Sequence, residues 1–292
     1  MAQLKEIRSR ITSVKNTRQV TSAMKLVSAA KLKKAQDAIV QITPYDNYLH
    51  EIIQDLSLGD VSFNSVYFSQ PEVENVLIVV VGANRGLCGG FNSNVTKMAL
   101  AHVLENYSIE LKAGKIQFLS IGRQVEKALK SKNVNLYGEA HDLLNDHNFE
   151  NISEIAEKLM QLFAEGKFQR IELIYNKFKN AAVQELTAEQ YLPVQKPIQE
   201  DQATTRPDYI FEPSQSQILS SVIPQSLKMR LYRVLLDSNA AEHGARMTAM
   251  HQATDNATDL LKDLRTTYNN ARQAAITNEI LEITAGAEAL KG

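Results

Sequence analysis

Residues 1–43 contain neither proline nor glycine; the first proline is Pro44 and the first glycine is Gly59. Residues 245–285 lack both again. A chain with breaker-free stretches at both ends is strongly constrained, because few folds use such stretches except as long helices. Leu4, Ile7, Ile11 and Val14 recur at spacings of three and four, and after a slip the pattern resumes at Val20, Met24 and Val27, then Leu32, Ala35, Ile39 and Ile42. Near the other end Ala257, Leu261, Leu264, Tyr268, Ala271 and Ala275 alternate in the same way. The stripe then shifts by one residue to Ile276, Ile280, Ile283, Ala287 and Leu290. Each stripe is narrow, as in a coiled coil, and a narrow seam needs a partner helix. Antiparallel pairing of the two ends is the simplest arrangement. The first helix would run roughly 60–80 Å at about 1.5 Å per residue.

The middle of the chain has a different rhythm. Val76–Val81 and Ile116–Ile121 are short apolar runs bounded by turn residues, and residues 169–178 and 182–192 read as further strands. Between them, Val95, Met98, Ala99, His102 and Val103 mark one helix face. Ile152, Ile155, Ala156, Leu159, Met160 and Phe163 mark another. Strands alternating with helices predict an α/β head with a doubly wound, mostly parallel sheet. Five of the seven prolines fall between Pro193 and Pro224, which suits a connecting segment. The expected organisation is therefore a long helix over 1–58, a head over 72–192, a connector over 193–213 and a second long helix over 214–292.

The head opens on VLIVVVGANRGLCGGFNSNV, a strand that runs into a glycine loop before a helix. That is the setting in which many proteins present a phosphate to a helix N-terminus. The details do not fit. A phosphate loop needs Lys and Ser/Thr directly after its glycines, whereas Gly90 is followed by Phe91 and Asn92. Gly82, Gly86 and Gly89 are spaced by four and three, not as G-x-G-x-x-G. The glycines read instead as a tight turn or a close backbone approach.

Other chemistry is thin. His243 and His251 lie eight apart without a third ligand at helical spacing, so no metal site is expected. Glu242 beside His243 reads as a polar surface pair. The single cysteine, Cys88, excludes an internal disulfide and carries no local sign of a reactive thiolate. Lys and Arg total 32 against 33 Asp and Glu, so no global charge points to nucleic acid or an anionic membrane. Nine bases against two acids over residues 1–39 surround an apolar seam and lack an aromatic stacking set. The longest apolar run, Val76–Val81, is far below the roughly 20 residues of a membrane span. From the residues alone the chain is a mechanical or adaptor protein. A nucleotide-dependent α/β enzyme is the rival reading.

Four segments carry a resemblance. IRSRITSVKNTRQVTSAMKLVSAAKLKKAQ, GLCGGFNSN, ARMTAMHQATDNA and ARQAAITNEILEITAGAEAL resemble the gamma subunits of F-type rotary ATP synthases. The resemblance implies a terminal coiled coil acting as a rotor shaft inside a hexamer of alpha and beta subunits. The nucleotide chemistry would belong to that hexamer, with no catalytic residue, cofactor or metal in this chain. It implies further partners in an epsilon subunit and a membrane c-ring. It also implies a place on the cytoplasmic face of a bacterial inner membrane, since no transit peptide or paired-cysteine regulatory segment is seen. Carried over by position, Met24, Lys25 and Arg246 are expected near a mobile acidic loop of beta. Arg272, Gln273, Thr277 and Glu279 are expected against beta loops higher on the C-terminal helix. Tyr209 in PDYIFEP is expected at epsilon and the c-ring. The small Ala285, Gly286, Ala287 and Ala289 suit a tip that slips in a bearing.

Overall fold

A computed structural model describes residues 2–57, 66–146, 148–194 and 215–289. Two long helices, α1 (Ala2–Ser57) and α6 (Gln215–Ala289), flank a sheet domain. The chain divides into two compact units, and both divisions fall inside these helices. One unit holds α1 as far as Ser28 together with α6 from Met247; the other comprises Ala29–Arg246. The long helices thus serve both units. Sequence reading had placed the whole of each in the coil.

In the first unit the half-buried or buried positions of α1 are Leu4, Ile7, Ile11, Val14, Arg18, Thr21, Met24, Lys25 and Ser28. Those of α6 include Ala257, Leu261, Leu264, Tyr268, Ala271 and Ala275, as the spacing predicts, and the stripe extends back to Thr254 and Met250. The N-terminal stripe corrects one expectation. The seam does not slip to Val20 and Val27, which are 58% and 57% exposed; it keeps its register through Thr21 and Ser28, at 8% and 3%. These hydroxyls are tolerated because each donates to a carbonyl of its own helix, Thr21 to Arg18 (3.1 Å) and Ser28 to Met24 (2.7 Å). The expected C-terminal shift onto Ile276, Ile280, Ile283 and Ala287 is not a seam either, since every residue from Ile276 to Glu288 is exposed. Leu290 lies outside the described residues.

The second unit is built on β1 (Val76–Val81), β2 (Ile116–Ile121), β3 (Leu136–Glu139), β4 (Arg170–Phe178) and β5 (Gln184–Leu192). The sheet order is β3-β2-β1-β4-β5. All neighbours are parallel except β4 and β5, an antiparallel hairpin. The strand β3, the short helix α3 (Ser108–Lys112), α4 (Arg123–Lys130) and two short 3-10 turns at Val66–Phe68 and His141–Leu144 are additions to the sequence reading. β1 is buried along its whole length because both faces of the sheet are covered. On one face α2 (Phe91–Asn106) and α4 bring Val95, Ala99, Val103, Val125 and Leu129 onto Val76, Ile78 and Val80. On the other, α5 (Phe149–Ala164) joins Ile53 of α1 and Leu219, Ile223, Leu227 and Leu231 of α6 over Leu77, Val79 and Val81. Lower α6 is therefore a core helix of the head. In the coil unit Thr254 meets Thr21, and in the head unit Arg233 pairs with Asp46. α1 and α6 therefore run antiparallel.

Candidate functional site: the glycine loop and the exposed face of α6

In an open α/β sheet, ligands bind outside the carboxyl ends of the strands where the strand order reverses. Here that crevice lies between β1 and β4, beside the glycine loop. It is filled by the chain itself. Ala241 of α6 packs with Ala83, Cys88 and Phe91, and Ala245 and Phe178 complete the cluster. Gly244 admits the β4–β5 hairpin: a side chain there would meet the Ala181 carbonyl oxygen at 3.2 Å. The loop's polar groups are also occupied. The Gly82 amide donates to Ile121 O (2.8 Å) and the Ala83 amide to Asn92 Oδ1 (2.9 Å). Asn92 Nδ2 donates in turn to Cys88 Sγ (3.2 Å). Burial pushes the Cys88 thiol up, against the opposing pull of Arg246, which disfavours the nucleophilic thiolate.

Arg246 closes the arrangement. Its guanidinium donates to Arg85 O (3.2 Å), Gly86 O (3.4 Å) and Glu242 Oε1 (2.6 Å), and it is 7% exposed. A phosphate loop turns amides toward an anion; this loop turns carbonyls toward a cation belonging to the same chain. Glu242, expected from sequence to form a polar pair with His243 at the surface, is largely buried as the partner of Arg246. Burial raises its carboxyl and Arg246 opposes that rise. The spacing from Glu242 to Arg246 is the i,i+4 ion-pair signal that could have found it.

Nearby, Glu126, Glu139 and His141 bring ligand-type atoms within 4.8 Å of one another. His141 Nδ1 accepts from the Gly122 amide (3.2 Å), so Nε2 carries the proton and donates to Glu126 (2.9 Å). That nitrogen has no lone pair to offer a metal. Lys130, foremost, holds the Glu126 carboxyl down at about 2. The trio is a hydrogen-bonded brace between the β2–α4 turn and the end of β3. His251, considered above with His243, pairs with Asp255 (3.3 Å) on its own helix.

The remaining candidate residues fall as follows. Met24 and Lys25 are half-buried on α1. Arg272, Gln273, Thr277 and Glu279 are all exposed on α6. Gln273 and Thr277, four apart, share a face. Thr254, Thr258, Thr266, Thr267 and Thr284 each donate to a backbone carbonyl of α6, whereas Thr277 makes no such bond among the described residues. The same segment carries exposed Ile276, Ile280, Leu281 and Ile283, the last 70% exposed. No helix of the described residues is long and apolar enough to cross a membrane, so this apolar surface is not a lipid span. Tyr209 lies outside the described residues.

Comparison with known proteins agrees with this picture. Residues 3–290 match the ATP synthase family. The ATP synthase gamma chain of Christiangramia forsetii is 51% identical over 293 residues, covering all of both chains. That of Flavobacterium johnsoniae is 52% identical over 297, again covering both in full. A chain of the Euglena gracilis mitochondrial ATP synthase, covering 99% of this chain and 95% of its own, has a TM-score of 0.69 at 18% identity. One from the central stalk and c-ring of the Tetrahymena thermophila mitochondrial enzyme covers 80% and 99%, with a TM-score of 0.60 at 21% identity. At these identities the structures speak for the fold.

Proposed function

The chain belongs to the gamma-chain family of ATP synthase, and from that membership we propose how this central-stalk subunit, itself non-catalytic, couples rotation to nucleotide affinity. The shaft is the antiparallel pairing of α1 and α6, assigned to residues 1–58 and 214–292. The head, residues 72–192, anchors its lower part, and residues 193–213 connect the two. An asymmetric shaft offers each of three identical beta subunits a different surface. Each contact favours one nucleotide state, so turning the shaft changes the affinities in sequence. The observation that carries this reading is the face of α6 from Arg272 to Ile283. It combines unbonded polar groups with exposed isoleucines on a rigid helix, without an intrachain partner among the described residues.

Arg272, Gln273, Thr277 and Glu279 contact loops of beta, and Met24 and Lys25 face its mobile acidic loop. Arg246 is assigned to beta as well, and within the head unit its guanidinium ties α6 to the glycine loop. Tyr209 meets epsilon and the c-ring. The complex places the chain on the cytoplasmic face of a bacterial inner membrane, held there through its partners. The test is reconstitution. The chain should assemble with alpha and beta subunits into a magnesium-dependent ATPase that pumps protons in vesicles, and alone it should neither bind nor hydrolyse ATP. Saturable ATP binding by the isolated chain would revive the enzyme reading.

A further inference from the structure

In the seam of the coil unit, half-buried Thr254 brings its Oγ1 to 2.8 Å from Oγ1 of buried Thr21. Each hydroxyl also reaches a carbonyl of its own helix: Thr21 to Arg18 O at 3.1 Å and Thr254 to Met250 O at 2.7 Å. Three proton arrangements fit these contacts: Thr254 donates across the seam while Thr21 donates to Arg18, Thr21 donates across while Thr254 donates to Met250, or each donates to its own helix. In the first two, one hydrogen bond crosses between the helices.

The surroundings make it consequential. Toward the N-terminus of α1 the seam is filled by Ile7, Ile11 and Val14, with Leu261, Leu264 and Tyr268 in the matching stripe of α6. Around Thr21 the seam mixes flexible and small or polar groups: Arg18, Thr21, Met24, Lys25 and Ser28 on α1, with Met250, Ala253, Thr254 and Ala257 on α6. Flexible methionines and small side chains define axial register less sharply than branched apolar ones. A single buried polar contact in a coiled-coil seam specifies register at some cost in stability. Thr21 precedes Met24 and Lys25 by three and four residues, so it shares their side of α1.

We propose that Thr21 and Thr254 form the register key of the shaft, positioning residues that fix the offset between α1 and α6 and thereby the presentation of Met24 and Lys25 to the surrounding subunits. This rests on the rotor reading above. Neither residue needs to touch a partner.

The test uses the assembled complex in membrane vesicles, reading ATP-driven proton pumping per ATP hydrolysed. Thr21→Val and Thr254→Val keep side-chain shape, and the hydroxyl that remains retains its own-helix carbonyl, so both variants fold. Each should lower pumping per ATP at least about twofold. The double variant should be no worse than either single, because all three remove the same interaction. Thr21→Ser should keep the wild-type ratio. In the pair Thr21→Cys with Thr254→Cys, oxidation should cross-link the chain within itself and restore the ratio, while the reduced form behaves like the valine variants. Valine variants that match wild type, or losses that add in the double variant, overturn the proposal while the rotor reading stands. Wild-type vesicles that assemble no pumping complex overturn the rotor reading and the proposal with it.

Discussion

Asp237 is a carboxylate on α6 that is 8% exposed, and it forms neither an ion pair nor a hydrogen bond among the described residues. Burial raises its pKa to about 6; Arg233 and Lys177 oppose that rise, while Glu189 and Asp46 assist it. An unfolded aspartate titrates near 3.9. The folded chain therefore binds this proton more tightly, and the Asp237 contribution to stability is most favourable below about pH 4 and is lost as pH rises through 6. Asp237→Asn should leave stability little changed at pH 4 and raise it by up to ~3 kcal/mol at pH 8. Urea midpoints of wild type and variant at the two pH values check this, and equal differences at both would refute it. Arg246 behaves in the opposite way. Its removal strands Glu242 and two loop carbonyls, so Arg246→Ala should cost about 3–5 kcal/mol. Arg246→Lys should recover only part of that, because a single ammonium cannot reproduce the planar fork. Hydrogen exchange of the amides at 84–90 is the direct readout. If those amides stay as protected in Arg246→Ala as in wild type, the clamp is not what orders the loop. The family resemblance singled out Arg246 from sequence, but its bonds to the Arg85 and Gly86 carbonyls were invisible, because a carbonyl acceptor leaves no trace in a side-chain pattern.

Among the elements, the C-terminal stripe from Ala257 to Ala275 was legible because its residues are large or small apolar groups at strict spacing. The N-terminal stripe was misread between Val14 and Leu32. Hydrophobicity drew the eye to Val20 and Val27, while helix geometry put Thr21 and Ser28 on the seam. A threonine or serine that bonds its own i−3 or i−4 carbonyl buries no unsatisfied donor, so it substitutes for an apolar residue there. The head strands were legible as apolar runs. β3 was not, because LYGE alternates half-buried and exposed residues at a sheet edge. The tight glycines belong to this scale too. Gly122 starts the turn into α4 at a φ of 124°, and a Cβ there would come within 2.9 Å of the Gly82 carbonyl carbon. The β1 and β2 turns touch backbone to backbone, which only glycine permits. Gly122→Ala should cost at least ~2 kcal/mol, combining an unfavourable conformation with the clash. A thermal midpoint unchanged within 1–2 °C (a shift of well under ~1 kcal/mol) would show that the turns can separate freely.

For the molecule as a whole, the division of labour follows from where polar groups are already committed. The glycine loop looked like a binding site in sequence, yet in the fold its amides and carbonyls are consumed by Ile121, Asn92 and Arg246, and α6 fills the crevice. The face of α6 beyond Ala275 looked like more seam, yet among the described residues nothing covers it and Thr277 spends its hydroxyl on no partner. Contacts that must form and break at every step of rotation have to be weak individually. A neutral hydrogen bond contributes about 0.5–1.5 kcal/mol net, which suits that demand. A charge-assisted bond is roughly twice as strong and would hold one angle. Gln273→Leu and Thr277→Val should accordingly lower both ATP synthesis and ATP hydrolysis by the assembled complex, by about two- to tenfold for a bond of that strength, with assembly intact. Lys25→Ala should be mild. Met24→Lys should act differently, reducing pumping per ATP by adding an ion pair to the acidic loop of beta that the shaft must then break. The two signatures separate in one experiment, comparing ATPase rate with proton pumping in vesicles carrying each variant. Gln273 and Thr277 variants should lose rate, and Met24→Lys should lose coupling. If Gln273→Leu and Met24→Lys both leave rate and coupling at wild-type values, the face from Arg272 to Glu279 and the Met24 position are ordinary helix surface, and torque passes to the partners elsewhere.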